Sequence, residues 1–171
     1  MKNITKILSI VILVFAFSAN VLAQATAIAS ATIVTPITIV HVSDLSFGNV
    51  VPSATTAGTV DVAPDGTPSY TDVTATALPA ATATITAASF NVSGTPAATY
   101  DITLPVADVT LTGPAGTMIA NTFVSDPSGT GTLDGTTGTQ TLNVGATLHV
   151  GVAQAAGTYT SAPFTVTVNY N

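Results

Sequence analysis

Hydrophobic and polar residues alternate with a period of two along most of the chain, and the alternating runs stop at Gly, Pro, Asp or Asn. Successive side chains of a strand point to opposite faces, so this period is typical of half-buried β-strands. A helical period of 3.6 residues nowhere lasts for more than a turn. The predicted strands include residues 37–42, 59–62, 70–76, 84–92, 99–104, 108–112, 118–124, 140–144, 147–152 and 164–170.

The spacing of these runs predicts the fold class. Short strands that recur every 8–12 residues with turn residues between them are typical of an antiparallel sandwich or barrel. We therefore expect an all-β fold of about 8–10 short strands, with a turn at 64–66 and a Gly- and Thr-rich loop at 127–139. A β-solenoid is the main rival, because Thr-x-Thr triplets recur, but they follow no fixed repeat.

The amino terminus has the features of a secretory signal peptide at residues 1–23. Lys2 and Lys6 supply the positive start, residues 7–17 are apolar, and the small-x-small pattern that ends at Ala23 predicts cleavage there, with Ala25 as the alternative. Cleavage after Ala23 leaves 171 − 23 = 148 residues, which is the length of one domain. We expect a single domain over 24–171.

Residues 24–31 leave two interpretations open. The stretch 24–35 alternates and is built of small, nearly uncharged residues. Residues 33–42 are expected to join the protein's own sandwich. Residues 24–31 are either a flexible extension or a strand donated to the sheet edge of a neighbouring molecule.

Charged side chains are few and unevenly placed. The chain has two Lys or Arg and eight Asp or Glu, and it lacks Cys and Trp. Both cations lie in the predicted signal peptide, so its removal changes the formal net charge from −6 to −8. Basic contacts to nucleic acid and polybasic contacts to a membrane are excluded for the exported part. Thiol and Schiff-base lysine chemistry are excluded as well.

The two histidines, His41 and His149, each lie between two apolar residues. Alternation predicts that each histidine faces solvent, opposite its apolar neighbours. A catalytic triad needs a buried histidine beside a serine and an aspartate. The sequence also lacks a Gly-x-Ser-x-Gly elbow, and the nearest serine, Ser93, lies in a turn signal.

The aspartates raise the question of calcium. Asp126 and Asp134 flank the 127–139 loop and are the best candidates to share an ion, but the dense ligand spacing of a calcium loop is absent. Aspartates that begin turns and keep the surface soluble explain the same positions. We expect no catalytic, cofactor-binding or metal-binding residues and no cofactor.

Several motifs resemble a secreted bacterial family, the domain of unknown function 4402. They are Asp44-Leu-Ser-Phe-Gly48, Ala88-Ser-Phe-Asn-Val92, Gln140-Thr-Leu-Asn-Val-Gly145, Thr147-Leu-His-Val150, Gln154-Ala-Ala-Gly-Thr-Tyr159 and Phe164-Thr-Val-Thr-Val-Asn-Tyr-Asn171. The resemblance covers about 28–171 and implies an exported, antiparallel immunoglobulin-like β-sandwich of cell-surface type, with no established catalytic residues.

The end of the chain also resembles, more distantly, spore-coat-U and chaperone–usher pilin domains. In those domains a Gly-x-Tyr precedes an alternating final strand with a penultimate aromatic, as Gly157, Tyr159 and Tyr170 do in this sequence. Tyr159 itself reads as a corner tyrosine. Its ring is expected in the core, and its hydroxyl is expected to bond the backbone a few residues upstream.

These observations favour a non-enzymatic secreted or cell-surface structural protein, as a subunit of an extracellular fibre or layer. The alternative is a monomeric binding module, an adhesin for a glycan or protein, that uses loops 113–117 and 127–139. We expect self-association through strand edges, no nucleic-acid partner and no membrane contact after signal cleavage. The expected location is extracellular, at the cell surface or periplasmic.

Overall fold

The computed structural model describes residues 23–75 and 83–171, and every regular element in these ranges is a β-strand. The predicted signal peptide falls outside the described residues except for Ala23, and so does the last residue of the predicted 70–76 strand. In the described ranges no helix is long and apolar enough to cross a membrane. Val34–Asn171 form one compact unit, and the described residues before it, 23–33, contain no strand.

The described residues form fifteen strands, more than the 8–10 predicted. They are β1 (Thr38–Ser43), β2 (Ser46–Phe47), β3 (Val50–Pro52), β4 (Gly58–Val62), β5 (Pro68–Thr71), β6 (Val73–Ala75), β7 (Ile85–Thr86), β8 (Ala88–Ser93), β9 (Thr99–Thr103), β10 (Val109–Gly113), β11 (Gly116–Asp126), β12 (Thr130–Thr132), β13 (Thr139–Val150), β14 (Thr160–Ser161) and β15 (Thr167–Tyr170). Part of the excess is β3, β12 and β14, which lie outside the predicted runs, and part arises where a predicted run is interrupted. Asp72, with φ of 55°, separates β5 from β6, and Ala87 separates β7 from β8.

The strands form antiparallel sheets, as the sequence predicted. The largest has eight strands in the order β1-β8-β13-β11-β10-β14, with β4 paired to β13 and β5 paired to β4. A three-stranded sheet has the order β12-β9-β15, and two further pairs are β2-β7 and β3-β6. The predicted turn at 64–66 joins β4 to β5, which pair as a hairpin.

Strand β13 is the longest and organises the large sheet. Along one edge it pairs with β11. Along the other edge it pairs first with β8, through residues 139–144, and then with β4, through residues 146–150. The prediction of two separate strands, 140–144 and 147–152, was wrong because the backbone stays extended through Gly145.

Gly145 is the residue at which β13 changes partner. A Cβ at this position would collide with the carbonyl oxygen of Val62, at the end of β4. Only a residue without a side chain lets β4 approach this closely. The glycine that resembles a strand terminator in the sequence is therefore a close-approach site within one strand.

Two apolar clusters lie against β13, one on each side of this change. The first, which we call the β4 core, contains Phe47, Val60, Val62, Ala120, Ala146, Leu148 and Val150. The second, which we call the β9 core, contains Ala88, Val92, Tyr100, Leu133, Leu142, Val144 and Val166. Alternate residues of β13 thus supply both cores in succession.

A bulge in β11 opposite this region keeps its apolar residues inward. The register between β11 and β13 shifts between Asn121 and Val124, where Thr122 has φ of 51°. The extra residue reverses the alternation, so Ala120 and Phe123 both face the core although they are three residues apart. A left-handed conformation is costly for a β-branched residue. The packing of Phe123 against both cores compensates for that cost.

The three-stranded sheet packs against the large sheet through Tyr100 of β9. Tyr100 is fully buried in the β9 core with Val92 of β8 and Leu142 of β13. Two antiparallel sheets that share one apolar core form a β-sandwich. Its immunoglobulin-like character stays a prediction.

The predicted loop at 127–139 is only partly a loop. It contains β12, which pairs with β9, and Leu133, which is buried in the β9 core. The Leu133 N–H donates to the carbonyl of Ala98 at 2.9 Å. The Gly- and Thr-rich sequence did not predict that Leu133 is buried, because a single leucine cannot show a hydrophobic period.

Replacing Gly145 by Ala tests the change of partner on β13. Gly145→Ala is expected to lower the free energy of unfolding by about 3 kcal/mol or more, because the new Cβ meets backbone that cannot move alone. Gly135→Ala is the matched control, since a Cβ at Gly135 meets nothing within 4 Å. Its effect should stay within about 1 kcal/mol in chemical denaturation. Equal effects of the two substitutions would contradict the role given to Gly145.

Candidate interaction surfaces

His41 lies at the edge of the large sheet, with 54% of its side chain exposed. Its Nε2 is 2.9 Å from Oδ1 of Asp44, and its ring meets Phe90 edge-on, with the centroids 5.8 Å apart. The prediction that His41 faces solvent is confirmed. The prediction for its neighbours was wrong, because Val40 and Val42 are 59% and 63% exposed. Ile37 and Ile39 pack against the core instead, so the apolar face of this strand is the opposite one.

His149 is exposed while its neighbours Leu148 and Val150 are buried, as alternation predicted. Its Nε2 lies 2.9 Å from Oδ1 of Asn121, and the Asn121 Nδ2 donates to Oδ1 of Asp108 at 3.0 Å. The three side chains form a polar row across the outer face of the large sheet. His149 therefore contacts a neutral amide, and this contact offers the imidazole no nucleophile that it could activate.

Ser93, which lies in the nearest match to a nucleophile elbow, has a structural position. It ends β8, and its Oγ lies 2.8 Å from Oγ1 of Thr38 on β1. A nucleophile elbow joins a strand to a helix. Ser93 instead belongs to a ladder between two strands, where such hydroxyl pairs stabilise the sheet.

The aspartates contribute mainly to local order. In the described ranges no group of three or more His, Asp, Glu or Cys side chains could hold a metal ion. Asp65 Oδ1 accepts from the Thr67 N–H at 2.8 Å, in the turn between β4 and β5. Asp134 Oδ1 accepts from the N–H of Thr136 at 2.9 Å and of Thr137 at 2.7 Å. Both aspartates thus close turns, as the turn interpretation predicted.

Tyr159 makes the backbone contact predicted for a corner tyrosine. Its hydroxyl donates to the carbonyl of Ala155 at 2.9 Å and accepts from Nε2 of Gln154. Its ring lies over Gly113, at the turn between β10 and β11, and belongs to neither core cluster. The predicted burial of the ring in the core was therefore wrong, because the glycine offers a surface outside the core.

Tyr170 fixes the point at which the chain enters the compact unit. Its hydroxyl donates to the carbonyl of Thr35 at 2.7 Å and accepts from the Thr95 N–H at 2.6 Å. The Thr35 N–H in turn donates to Oγ1 of Thr95 at 3.1 Å. This cluster, which we call the Thr35 anchor, holds the backbone just before β1.

Tyr100 holds a third polar contact, inside the β9 core. Its hydroxyl donates to Oε1 of Gln140 at 2.8 Å, and the same oxygen accepts from the Thr132 N–H at 3.0 Å. Burial raises the pKa of the Tyr100 phenol, so it stays protonated and remains a donor. Nothing in the sequence pattern indicated this pair, since Tyr100 and Gln140 are forty residues apart.

Exposed apolar side chains concentrate near the amino terminus. Among the residues that the structure describes, the large apolar ones with exposed side chains are Ile28, Ile33, Val34, Val40, Val42, Val51, Val106, Ile119, Val124 and Val152. Five of these ten lie between positions 28 and 42, and we call this group the amino-terminal strip. Ile28 and Ile33 are each 97% exposed. The strip is defined by position in the sequence, and so many exposed apolar side chains in one segment make it a candidate interaction site, whereas single exposed apolar residues are ordinary.

Strand β1, which carries part of the strip, lies at the edge of the large sheet. Its pairing with β8 is interrupted by a bulge between His41 and Ser43. Natural edges are guarded by bulges, charges or proline. In β1, the bulge and the contact between His41 and Asp44 protect the carboxyl-terminal half of the strand. Val40, which precedes them, is exposed.

A groove of about 400 Å³ opens beside the end of β9. Its apolar lining consists of Ile102, Leu104, Pro105, Val106, Phe123 and Val124. No charged side chain occurs among the described residues that line it. We call it the apolar groove, and it contains two of the exposed valines, Val106 and Val124.

The chain matches a known family over most of its length. The model described as Domain of unknown function (DUF4402) matches residues 37–170. The chain belongs to this family. The DUF4402 match confirms the resemblance seen in the motifs, and it covers the strands from β1 to β15, beginning after the Thr35 anchor. No curated protein and no solved structure matches the chain.

Asp134, in the 127–139 loop, should make the stability of the fold depend on pH in a predictable direction. Hydrogen bonds from the N–H groups of Thr137 and Thr136 hold the pKa of Asp134 below its ordinary 3.8. A carboxyl with a lowered folded-state pKa stabilises the fold above the unfolded-state value, and this stability is lost as pH falls through the folded-state value. The stability difference between wild type and Asp134→Asn should therefore be constant near neutral pH and shrink on acidification.

Thermal unfolding of both proteins between about pH 2 and pH 6 measures this difference. The asparagine keeps an acceptor oxygen and loses only the titrating group. A difference that persists unchanged into acid would contradict the assignment.

Proposed function

We propose that this protein is a non-enzymatic, exported structural protein that assembles with copies of itself into an extracellular fibre or layer. The observation that carries the proposal is the amino-terminal strip, in which five large apolar side chains are exposed within fifteen positions. Burying an isoleucine or valine side chain contributes about 1.5–3 kcal/mol. A single molecule with the strip exposed lacks this stabilisation. An assembly that covers the strip gains it.

The lack of lysine and arginine after residue 23 supports the same proposal. Positive charge, lysine above all, is what commonly keeps a strand edge from pairing with another molecule. The residues from Gln24 to the end include no Lys, Arg or Glu, so their edges rely on bulges and a few aspartates. A protein that has to stay monomeric would gain from guarding such edges, whereas a subunit needs them accessible.

Export and persistence outside the cell fit this composition. The signal-like segment at 1–23 directs the chain to the extracellular space, the cell surface or the periplasm. The remaining residues offer no Lys or Arg to proteases that cleave after basic residues. In its more specific form, the proposal gives the protein an immunoglobulin-like sandwich that is distantly related to pilin domains.

The separate positions of His41, His149 and Ser93 support a non-enzymatic role. His41 contacts Asp44, His149 contacts Asn121, and Ser93 pairs with Thr38. The three side chains that the sequence offers for nucleophilic chemistry therefore have separate partners. A triad needs these types of side chain in one hydrogen-bonded line.

A monomeric binding module is the second candidate, favoured by the order of the 127–139 loop. Leu133 anchors that loop in the core, and Asp134 closes its turn. A loop held in this way loses little entropy on binding a ligand. A glycan-array signal from a stable monomer, lost on replacing Thr136 and Thr137, would favour this candidate over assembly.

Assembly is tested on the chain that begins at Gln24. We expect species much larger than a monomer in light scattering after size-exclusion chromatography, and fibres or sheets in negative-stain microscopy. Deleting 24–31, or replacing Ile28 by Asp, should raise the concentration needed for assembly at least tenfold, because about 1.5 kcal/mol or more of apolar burial is lost.

The matched control is Ile28→Val, which keeps an apolar side chain and should assemble nearly as the wild type does. A wild-type chain that stays monomeric at millimolar concentration would overturn the proposal. Assembly that is indifferent to the deletion and to Ile28→Asp would show that the strip plays no part.

A further inference from the structure

We infer that the apolar groove of one molecule receives residues 24–33 of a second copy, so that copies join head to tail. This inference rests on the proposed function and specifies the surface that receives Ile28 and Ile33, the first two residues of the amino-terminal strip. It follows from three features of the molecule: the neutrality of both surfaces, their positions in the fold, and the reach of the segment.

The groove and the segment match in chemistry. The groove is lined by apolar and uncharged polar residues, and residues 24–33 (QATAIASATI) carry no charge. An apolar groove excludes charged segments, because a buried charge without a partner is costly. Within the family-matched domain the groove also has exposed apolar side chains of its own, Val106 and Val124.

The Thr35 anchor and the groove lie at opposite ends of β9. The Thr35 anchor, from which the segment departs, involves Thr95, which precedes β9. The groove begins at Ile102 and continues through Val106, beyond the other end of β9. A contact between two different patches of identical molecules is heterologous and can continue without closing. Patches at opposite ends of a domain favour such open, linear assembly.

The segment is long enough to reach into a neighbour. Seven residues separate Ile28 from the Thr35 anchor, which in an extended chain corresponds to about 23 Å. A groove of about 400 Å³ holds only a few side chains. Ile28, which is large, 97% exposed and far from the anchor, is therefore the side chain that enters the groove. The small residues on either side of it let the backbone lie close to the lining.

The experiment uses two single variants of the chain that begins at Gln24. Val106→Asp places a charge in the groove, and because Val106 is fully exposed the fold should be unaffected. Ile28→Asp disables the segment. Each variant alone should be at least tenfold weaker in assembly than the wild type. Val152→Asp, which adds the same charge at an exposed valine outside the groove, should assemble as the wild type does.

Mixing the two variants distinguishes this inference from other contacts. The Val106→Asp molecule has an intact segment and the Ile28→Asp molecule has an intact groove, so together they should form one-to-one complexes and stop there. Analytical ultracentrifugation measures this stoichiometry. A synthetic peptide of residues 24–33 should likewise bind the Ile28→Asp variant and fail to bind a Val106→Asp, Ile28→Asp double variant.

The outcomes separate the inference from the proposed function. A wild-type chain that never assembles overturns both. If Ile28→Asp prevents assembly but Val106→Asp assembles as well as Val152→Asp does, the proposed function stands and the groove is not the receiving surface. Variants that do not form a complex on mixing overturn the insertion of the segment into the groove of a second copy.

Discussion

The close approach of β4 to β13 at Gly145 is the constraint on which the rest of the structure depends. One strand of twelve residues serves two partners on the same edge, β8 and then β4, because the backbone at this point carries no side chain. The same strand supplies Leu142 and Val144 to one core, and Ala146 and Leu148 to the other. The bulge at Thr122 lies across from this point and brings Phe123 into contact with both cores. Loss of this junction would separate the two halves of the fold.

A chain without Trp or Cys and with few charges needs other means to fix its loops. Three of its four tyrosines lie against glycines: Tyr100 against Gly131, Tyr159 against Gly113, and Tyr170 against Gly94. In each case the ring covers a position where a Cβ would collide, and the hydroxyl bonds a group distant in sequence or a nearby backbone carbonyl. Aromatic rings that cover glycines are known to support β-sheets. The amide and carbonyl partners of these hydroxyls take the place of disulfides and of lysine or arginine ion pairs, which the composition excludes after residue 23.

The sequence predicted the strands well where period and burial agree. The hairpin of β4 and β5, the exposure of His149 and the backbone contact of Tyr159 all follow from local pattern or turn chemistry. Local pattern did not predict the continuity of β13, the burial of Leu133 or the exposed face of β1. Those features depend on which strand lies alongside, and the sequence of one chain does not indicate how its strands pair. The apolar groove was missed for the same reason, because Leu104 and Phe123 meet only in the folded sandwich.

The family match and the exposed residues divide the chain in a way that bears on assembly. Residues 37–170 form the matched domain and contain the groove, whereas Ile28, Ile33 and Val34 precede it. Residues 24–171 contain eight aspartates and no lysine or arginine, so copies carry like charge and contact between them has to use uncharged patches. Specificity must then come from shape and from where the apolar groups lie. The Thr35 anchor and the groove lie at opposite ends of β9, so the inferred contact between the segment of one copy and the groove of the next would place every copy in the same orientation along a line.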